Sequence, residues 1–166
     1  MIAFVGCSYT WGSGLQYEYL YEKGWSVDEL NKVLPYNHHL ELLEYGADEY
    51  RKQNNWPNLV AKELDKSYVI PTYCNGGSNL STTLPALQNL DRISRADSIT
   101  TIVVQFSDWL RDCGDRELIK FGQIDKIDKG LRLCDTIEGL DDQHLNSEGC
   151  KVVADSIIKK LKQYEN

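Results

Sequence analysis

Residues 1–15 read MIAFVGCSYTWGSGL. Ile2, Ala3, Phe4 and Val5 make a short apolar run that stops at Gly6 and passes into Cys7, Ser8, Tyr9, Thr10, Trp11 and Gly12. An apolar run of this length, ended by Gly and small polar residues, predicts a buried strand feeding a loop. In an open parallel sheet, ligands gather just beyond the carboxyl ends of the strands. That puts Ser8 where chemistry is usually done. A strand with a plain Gly/Ser turn accounts for the same residues, so the stretch needs a second feature to point to function.

The second feature lies near the other end of the chain. Asp141-Asp142-Gln143-His144 comes just before an amphipathic helix expected over 147–162. A serine hydroxyl is a weak nucleophile at neutral pH and needs a base. An imidazole can serve, and a carboxylate beside it fixes the tautomer and stabilises the imidazolium. Asp141 and His144 are close enough in sequence to make that pair within one turn of chain.

Together the two stretches resemble the blocks of the SGNH hydrolases, also called GDSL esterases and lipases. The family's first block, G-D-S-x-T-x-G, is matched by Gly6-Cys7-Ser8-Tyr9-Thr10-Trp11-Gly12, and its last, D-x-x-H, by Asp141 to His144. The second block, which supplies a glycine amide to the oxyanion, is matched by the run from Gly77, with Gly76 as a near alternative. The third block, G-x-N-D, falls on Gln105-Phe106-Ser107-Asp108. Gln105 replaces the Gly there, Ser107 replaces the Asn donor, and Cys7 replaces the Asp of the first block. Compact phage-encoded members of the family look much like this.

The resemblance implies a three-layer α/β/α sandwich with a mostly parallel sheet, of flavodoxin-like type. It also implies an esterase acting through an acyl-serine intermediate. Ser8 is the expected nucleophile, His144 the base and then acid, and Asp141 the residue that orients His144. Ser8 and Gly77 would hold the oxyanion through their amides, with Ser107 as the third donor in place of the family's Asn. Asn79 and Arg111 are candidate substrate contacts, although Arg111 is more readily explained by a surface ion pair with Asp108, Asp112 or Asp115. No metal or organic cofactor is implied. The expected substrate is a small-molecule or carbohydrate ester with a short acyl group, of the O-acetyl kind. Two rivals stay open: an acyltransferase using the same residues, and a binding module on the same fold with little catalysis.

Between the blocks, residues 16–55 look irregular and are rich in tyrosine (Tyr17, Tyr19, Tyr21, Tyr36, Tyr45 and Tyr50). Tyrosine pairs a flat apolar body with a hydroxyl, which suits a wall over a site as well as packing on a core. A helical turn or two is expected from Val27, with Ser26 as its cap. Trp56-Pro57 opens a clearer helix, since proline is at home in a first turn. Its apolar stripe would run through Leu59, Val60, Glu63 and Leu64. A second strand is expected over 66–73, at an edge or ending early because of Pro71. The β-branched run at 100–106 is the strongest strand signal and predicts a central strand buried on both faces. Helices are expected over 82–94 and 116–128, and a short last strand over 131–137. In the final helix Val152, Val153, Ile157, Ile158 and Leu161 form the expected buried stripe. Alternating strands and helices imply a parallel sheet with helices on both faces.

A chain of 166 residues fits a single domain with one core. A net charge of −7 disfavours nucleic-acid backbones, which need a clustered basic surface. No signal peptide and no stretch long enough to cross a membrane is read, so a cytoplasmic protein is expected. The five cysteines are scattered, with no C-x-x-C pair, which suits reduced thiols better than a zinc site or a disulfide framework. His38-His39 lacks neighbouring carboxylates or thiols in the pattern of a metal site. Oligomeric state is not legible.

Overall fold

The structure is a computed structural model, and it describes residues 1–33, 46–70, 99–105 and 130–164. It is an α/β arrangement with a small parallel sheet. The described elements are β1 (Ile2–Val5), α1 (Ser8–Trp11), α2 (Leu15–Glu22), α3 (Val27–Val33), α4 (Ala47–Asn54), α5 (Trp56–Glu63), β2 (Tyr68–Val69), β3 (Thr101–Val104), α6 (Leu133–Thr136) and α7 (Ser147–Tyr164). The chain divides into two compact units, Met1–Trp11 with Ala61–Lys126, and Gly12–Val60 with Ile127–Asn166.

The first unit holds the sheet, in the order β2-β1-β3. Both pairings are parallel, with Ile2 opposite Tyr68 and Thr101, and Val5 opposite Val104. All four residues of β1 are buried, as an apolar central strand between two parallel neighbours must be. Ala3 and Val5 pack with Val69 and Ile99, and the Phe4 and Tyr68 rings meet edge to face at 5.9 Å. One expectation is revised here. The strand buried throughout is β1; β3 is half-buried, with Ile102 half exposed. A β-branched run reports strand propensity, and burial is decided by what covers each face. The second strand is described only at Tyr68–Val69, at one edge of the described sheet.

The second unit is helical. Residues 16–55, expected to be irregular, carry α2, α3 and α4. The tyrosines explain the difference: Tyr17 with Leu20, Leu30, Ala47, Leu133, Ile137 and Leu140 forms a core, and Tyr19, Trp25, Val27 and Val33 pack against it. Aromatic bodies here join the aliphatic side chains of the core. Tyr19 and Tyr50 meet with ring centroids 5.2 Å apart, whereas Tyr21 is exposed.

The start of α3 is a reciprocal cap. Ser26 Oγ accepts from the Glu29 N–H, and Glu29 Oε2 accepts from the Ser26 N–H at 2.7 Å. At α5, Asn55 Oδ1 accepts from the Asn58 N–H at 2.9 Å, and Pro57 sits buried in the first turn as its missing N–H allows. The buried face of α5 is Trp56, Pro57, Val60 and Ala61; Glu63 is exposed and Leu59 half-buried, so the expected stripe is turned toward the amino end.

The expected strand at 131–137 is instead the single turn α6 plus one antiparallel bridge, Arg132 to Leu145. In α7 the fully buried positions are Gly149, Cys150 and Ala154, while Val152 is 46% exposed and Val153, Ile157, Ile158 and Leu161 are half-buried. The helices expected over 82–94 and 116–128, and His38-His39, lie outside the described residues. No described helix is long and apolar enough to cross a membrane.

Candidate catalytic site

In the first unit, Ser8 opens a one-turn helix directly beyond the carboxyl end of β1. The turn closes with the Trp11 N–H donating to the Cys7 carbonyl at 3.1 Å. Gly6 makes the bend possible: a Cβ there would collide with Thr10 Oγ1 and with the Gln105 side chain. Ser8 is half-buried, and Thr10 fully buried. The Thr10 hydroxyl donates to Gln105 Oε1, and the Gln105 N–H donates to the Val5 carbonyl at 2.8 Å. The Ser8 turn is thereby tied to the end of β3.

Cys7 is buried, and burial pushes its thiol pKa up against hydrogen bonds from Tyr9, Gln105, Ser8 and Thr10. A thiol held neutral is a poor nucleophile.

In the second unit, Asp142 Oδ1 lies 2.7 Å from His144 Nδ1 and also accepts from the His144 main-chain N–H at 2.7 Å. Asp142 is 5% exposed and the His144 side chain 25% exposed. A carboxylate on Nδ1 selects the tautomer that carries its proton there and leaves Nε2 as the acceptor. The carboxylate is Asp142, not Asp141 as expected; Asp141 is exposed. With one residue between acid and base, the Asp142 side chain folds back onto the His144 N–H, which brings the same oxygen to the ring.

The loop carrying the pair is pinned on both sides. The Leu133 N–H donates to the His144 carbonyl, and the Cys134 N–H to the Asp142 carbonyl, each at 3.0 Å. Asn146 caps α7, its Oδ1 accepting from the Gly149 N–H at 2.8 Å, while its Nδ2 donates to the Gly130 carbonyl at 2.8 Å. Glu18 of α2 takes the N–H of Ser147 at 2.9 Å and its hydroxyl at 3.0 Å. These bonds satisfy donors that a helix start leaves open. Burial raises the Glu18 pKa, and the bonds from Ser147 oppose the rise.

Gly14 touches the same loop. Its φ is +100°, and a Cβ there would lie 2.8 Å from His144 Cβ and 2.6 Å from Leu133 Cδ1. Only a glycine gives this close approach and this backbone. The Tyr17 hydroxyl is buried with no hydrogen-bond partner among the described residues. Its pKa is pushed up to about 12, by burial first and then by the charge of Asp142.

Of the residues expected in the site, Ser8, Asp141 and His144 are described; Gly77, Asn79, Ser107 and Arg111 lie outside the described residues. Among the described residues, no cluster of His, Cys, Asp and Glu could hold a metal ion. Of the residues around Ser8 and His144, Asp142, Gly14 and Glu18 were not singled out from sequence, and Gln105 was named only as a departure from the third block. The first two carry a signal in retrospect, a doublet of Asp and a glycine two residues past the first block. The partners of Gln105 and Glu18 lie 95 and 129 residues away in the chain, beyond what a local pattern can reveal. No protein-family model, curated protein or solved structure matches the chain.

Proposed function

We propose that the chain is a serine esterase of the SGNH hydrolase type, with the three-layer flavodoxin-like fold that this entails. Ser8 is the nucleophile. His144 takes its proton at Nε2 and returns it to the leaving alcohol. Asp142 holds the imidazole and stabilises its charged form. The amides of Ser8 and Gly77 receive the oxyanion, with the Ser107 hydroxyl as third donor. Water then releases the acyl group from Ser8. The substrate is a short-chain acyl ester, of the O-acetyl-carbohydrate kind.

One observation carries this reading: a buried carboxylate on Nδ1 of a histidine whose ring remains partly open to solvent. A histidine that merely packs or caps has no need of a buried anion on one ring nitrogen. The placement of Ser8 beyond the carboxyl end of a buried parallel strand supports it independently.

Intact-mass spectrometry after a fluorophosphonate probe tests the proposal on wild type, Ser8→Ala, Cys7→Ala and His144→Ala. The expected result is one adduct on wild type and Cys7→Ala and none on Ser8→Ala or His144→Ala. No adduct on wild type, at a dose that saturates a known serine esterase, removes the esterase reading and leaves the binding module.

A further inference from the structure

We propose that Gln105 is the positioning residue of the Ser8 turn, its side-chain amide bracing the turn on both sides of Ser8. This rests on the reading of Ser8 as nucleophile.

The turn cannot fix itself. It is four residues long, and isolated helical turns are unstable because fixing the first turn costs more than its bonds return. A nucleophile needs placement to within a fraction of an ångström, so its support has to come from tertiary contacts. Gln105 supplies them. Its Oε1 accepts from Thr10 Oγ1, two residues after Ser8. Its side chain also acts on the Cys7 thiol, one residue before Ser8, as a donor that opposes the rise of its pKa on burial. The donor end of the amide is Nε2. One planar amide therefore spans from Cys7 to Thr10.

The amide is itself held from behind. Gln105 directly follows β3, and its N–H donates to the Val5 carbonyl at the end of β1. The brace is thus an extension of the β1–β3 ladder. The absent side chain of Gly6 makes room for it, since a Cβ at Gly6 would lie 2.8 Å from Gln105 Oε1 and 2.9 Å from Gln105 Cβ. Gly6, Thr10 and Gln105 share one volume, and each is needed for the others to fit. What the brace sets is the direction of the Ser8 hydroxyl and of the Ser8 amide as oxyanion donor.

The test uses Gln105→Met, which keeps length and removes both hydrogen bonds, with Gln105→Ala and Gln105→Glu. Glu keeps the acceptor for Thr10, loses the donor to Cys7 and adds a negative charge beside the oxyanion site. Fluorophosphonate labelling of Ser8 is resolved into the maximal inactivation rate and the concentration for half-maximal rate, and amide hydrogen exchange is followed at Trp11. The expected result for Met and Ala is a maximal rate lower by about 10–100-fold, in line with the cost of a misplaced reacting group. The half-maximal concentration stays unchanged, exchange at Trp11 is faster, and the Gln105 amide on Val5 stays protected. Gln105→Glu falls furthest. A maximal rate within twofold of wild type in all three variants overturns the proposal. So does a loss that only tracks the unfolded fraction. If wild type takes no label, the nucleophile reading is what fails; faster exchange at Trp11 in Gln105→Met then upholds the brace alone, and unchanged exchange overturns it too.

Discussion

One oxygen of Asp142 serves two donors on His144, the main-chain N–H and the ring Nδ1, both at 2.7 Å. The first contact fixes where the carboxylate stands relative to the backbone, and the second carries that position to the ring. Asp141, one residue earlier, is exposed. The two neighbours should therefore differ sharply on substitution. Asp142→Asn keeps shape but offers a neutral oxygen, or an N–H that cannot accept from Nδ1–H. A loss in kcat or labelling rate on the order of 10⁴ is expected, as when the carboxylate of a serine triad becomes an amide. Asp141→Asn should stay within about twofold, as an exposed substitution with no described partner in the site. Equal losses at both positions would mean that Asp141 also acts on His144.

Gly14 and Gly24 separate backbone strain from crowding at His144. Both have positive φ, +100° and +95°, but a Cβ at Gly24 meets nothing within 4 Å, while at Gly14 it meets His144 and Leu133. Gly24→Ala should cost about 1 kcal/mol, the strain of a left-handed alanine. Gly14→Ala carries that strain plus the contact, and should cost roughly 2–4 kcal/mol in urea unfolding. It should also slow labelling of Ser8 in the fraction that remains folded, because the His144 side must give way. Equal destabilisation by the two variants would show that the loop at His144 accommodates a methyl group freely.

What the sequence made legible follows the range of the interaction. β1, the Ser26 cap, the Pro57 helix start and α7 are local, each set by a few adjacent residues, and each forms as the pattern requires. Within 16–55 the helix after Ser26 was expected, whereas α2 and α4 were hidden because their buried positions are Tyr17, Leu20, Ala47 and Arg51 instead of an aliphatic stripe. The segment at 131–137 reads as a strand by composition, yet Leu133 and Ile137 are buried from one helical turn and its exit. Among the candidate residues, Ser8 and His144 stand out as residue types in pattern. Choosing between Asp141 and Asp142 depends on which side chain folds back on the loop, and that geometry is not a property of composition.

Tyr17 provides a test in the opposite sense from most buried substitutions. Its hydroxyl is buried, has no hydrogen-bond partner among the described residues and carries a raised pKa from burial and from Asp142. A buried hydroxyl without a partner is a cost to the folded state. Tyr17→Phe keeps the ring in its core and removes that cost. The variant should be as stable as wild type or more stable by about 1 kcal/mol in urea unfolding. A loss of more than 1 kcal/mol would show that the hydroxyl has a partner, most simply a buried water bridging toward Asp142.

Glu18 gives the chain a pH dependence of definite sign. Burial raises its pKa above the ordinary 4.5 despite the bonds from Ser147. The folded state then holds the proton more tightly than the unfolded chain, so it binds more protons between the two pKa values. Stability from this group is fully present below the ordinary value and is lost as pH rises through the raised one. Glu18→Gln removes the titration while keeping an oxygen for the Ser147 N–H and an amide to donate to its hydroxyl. Urea midpoints of wild type and Glu18→Gln, measured from pH 4 upward, should therefore diverge, with the variant gaining relative to wild type until Glu18 is fully ionised. Beyond that point the difference should hold level. A difference that shrinks with rising pH would mean that the Ser147 bonds outweigh burial, and that the carboxylate form is the one α7 selects.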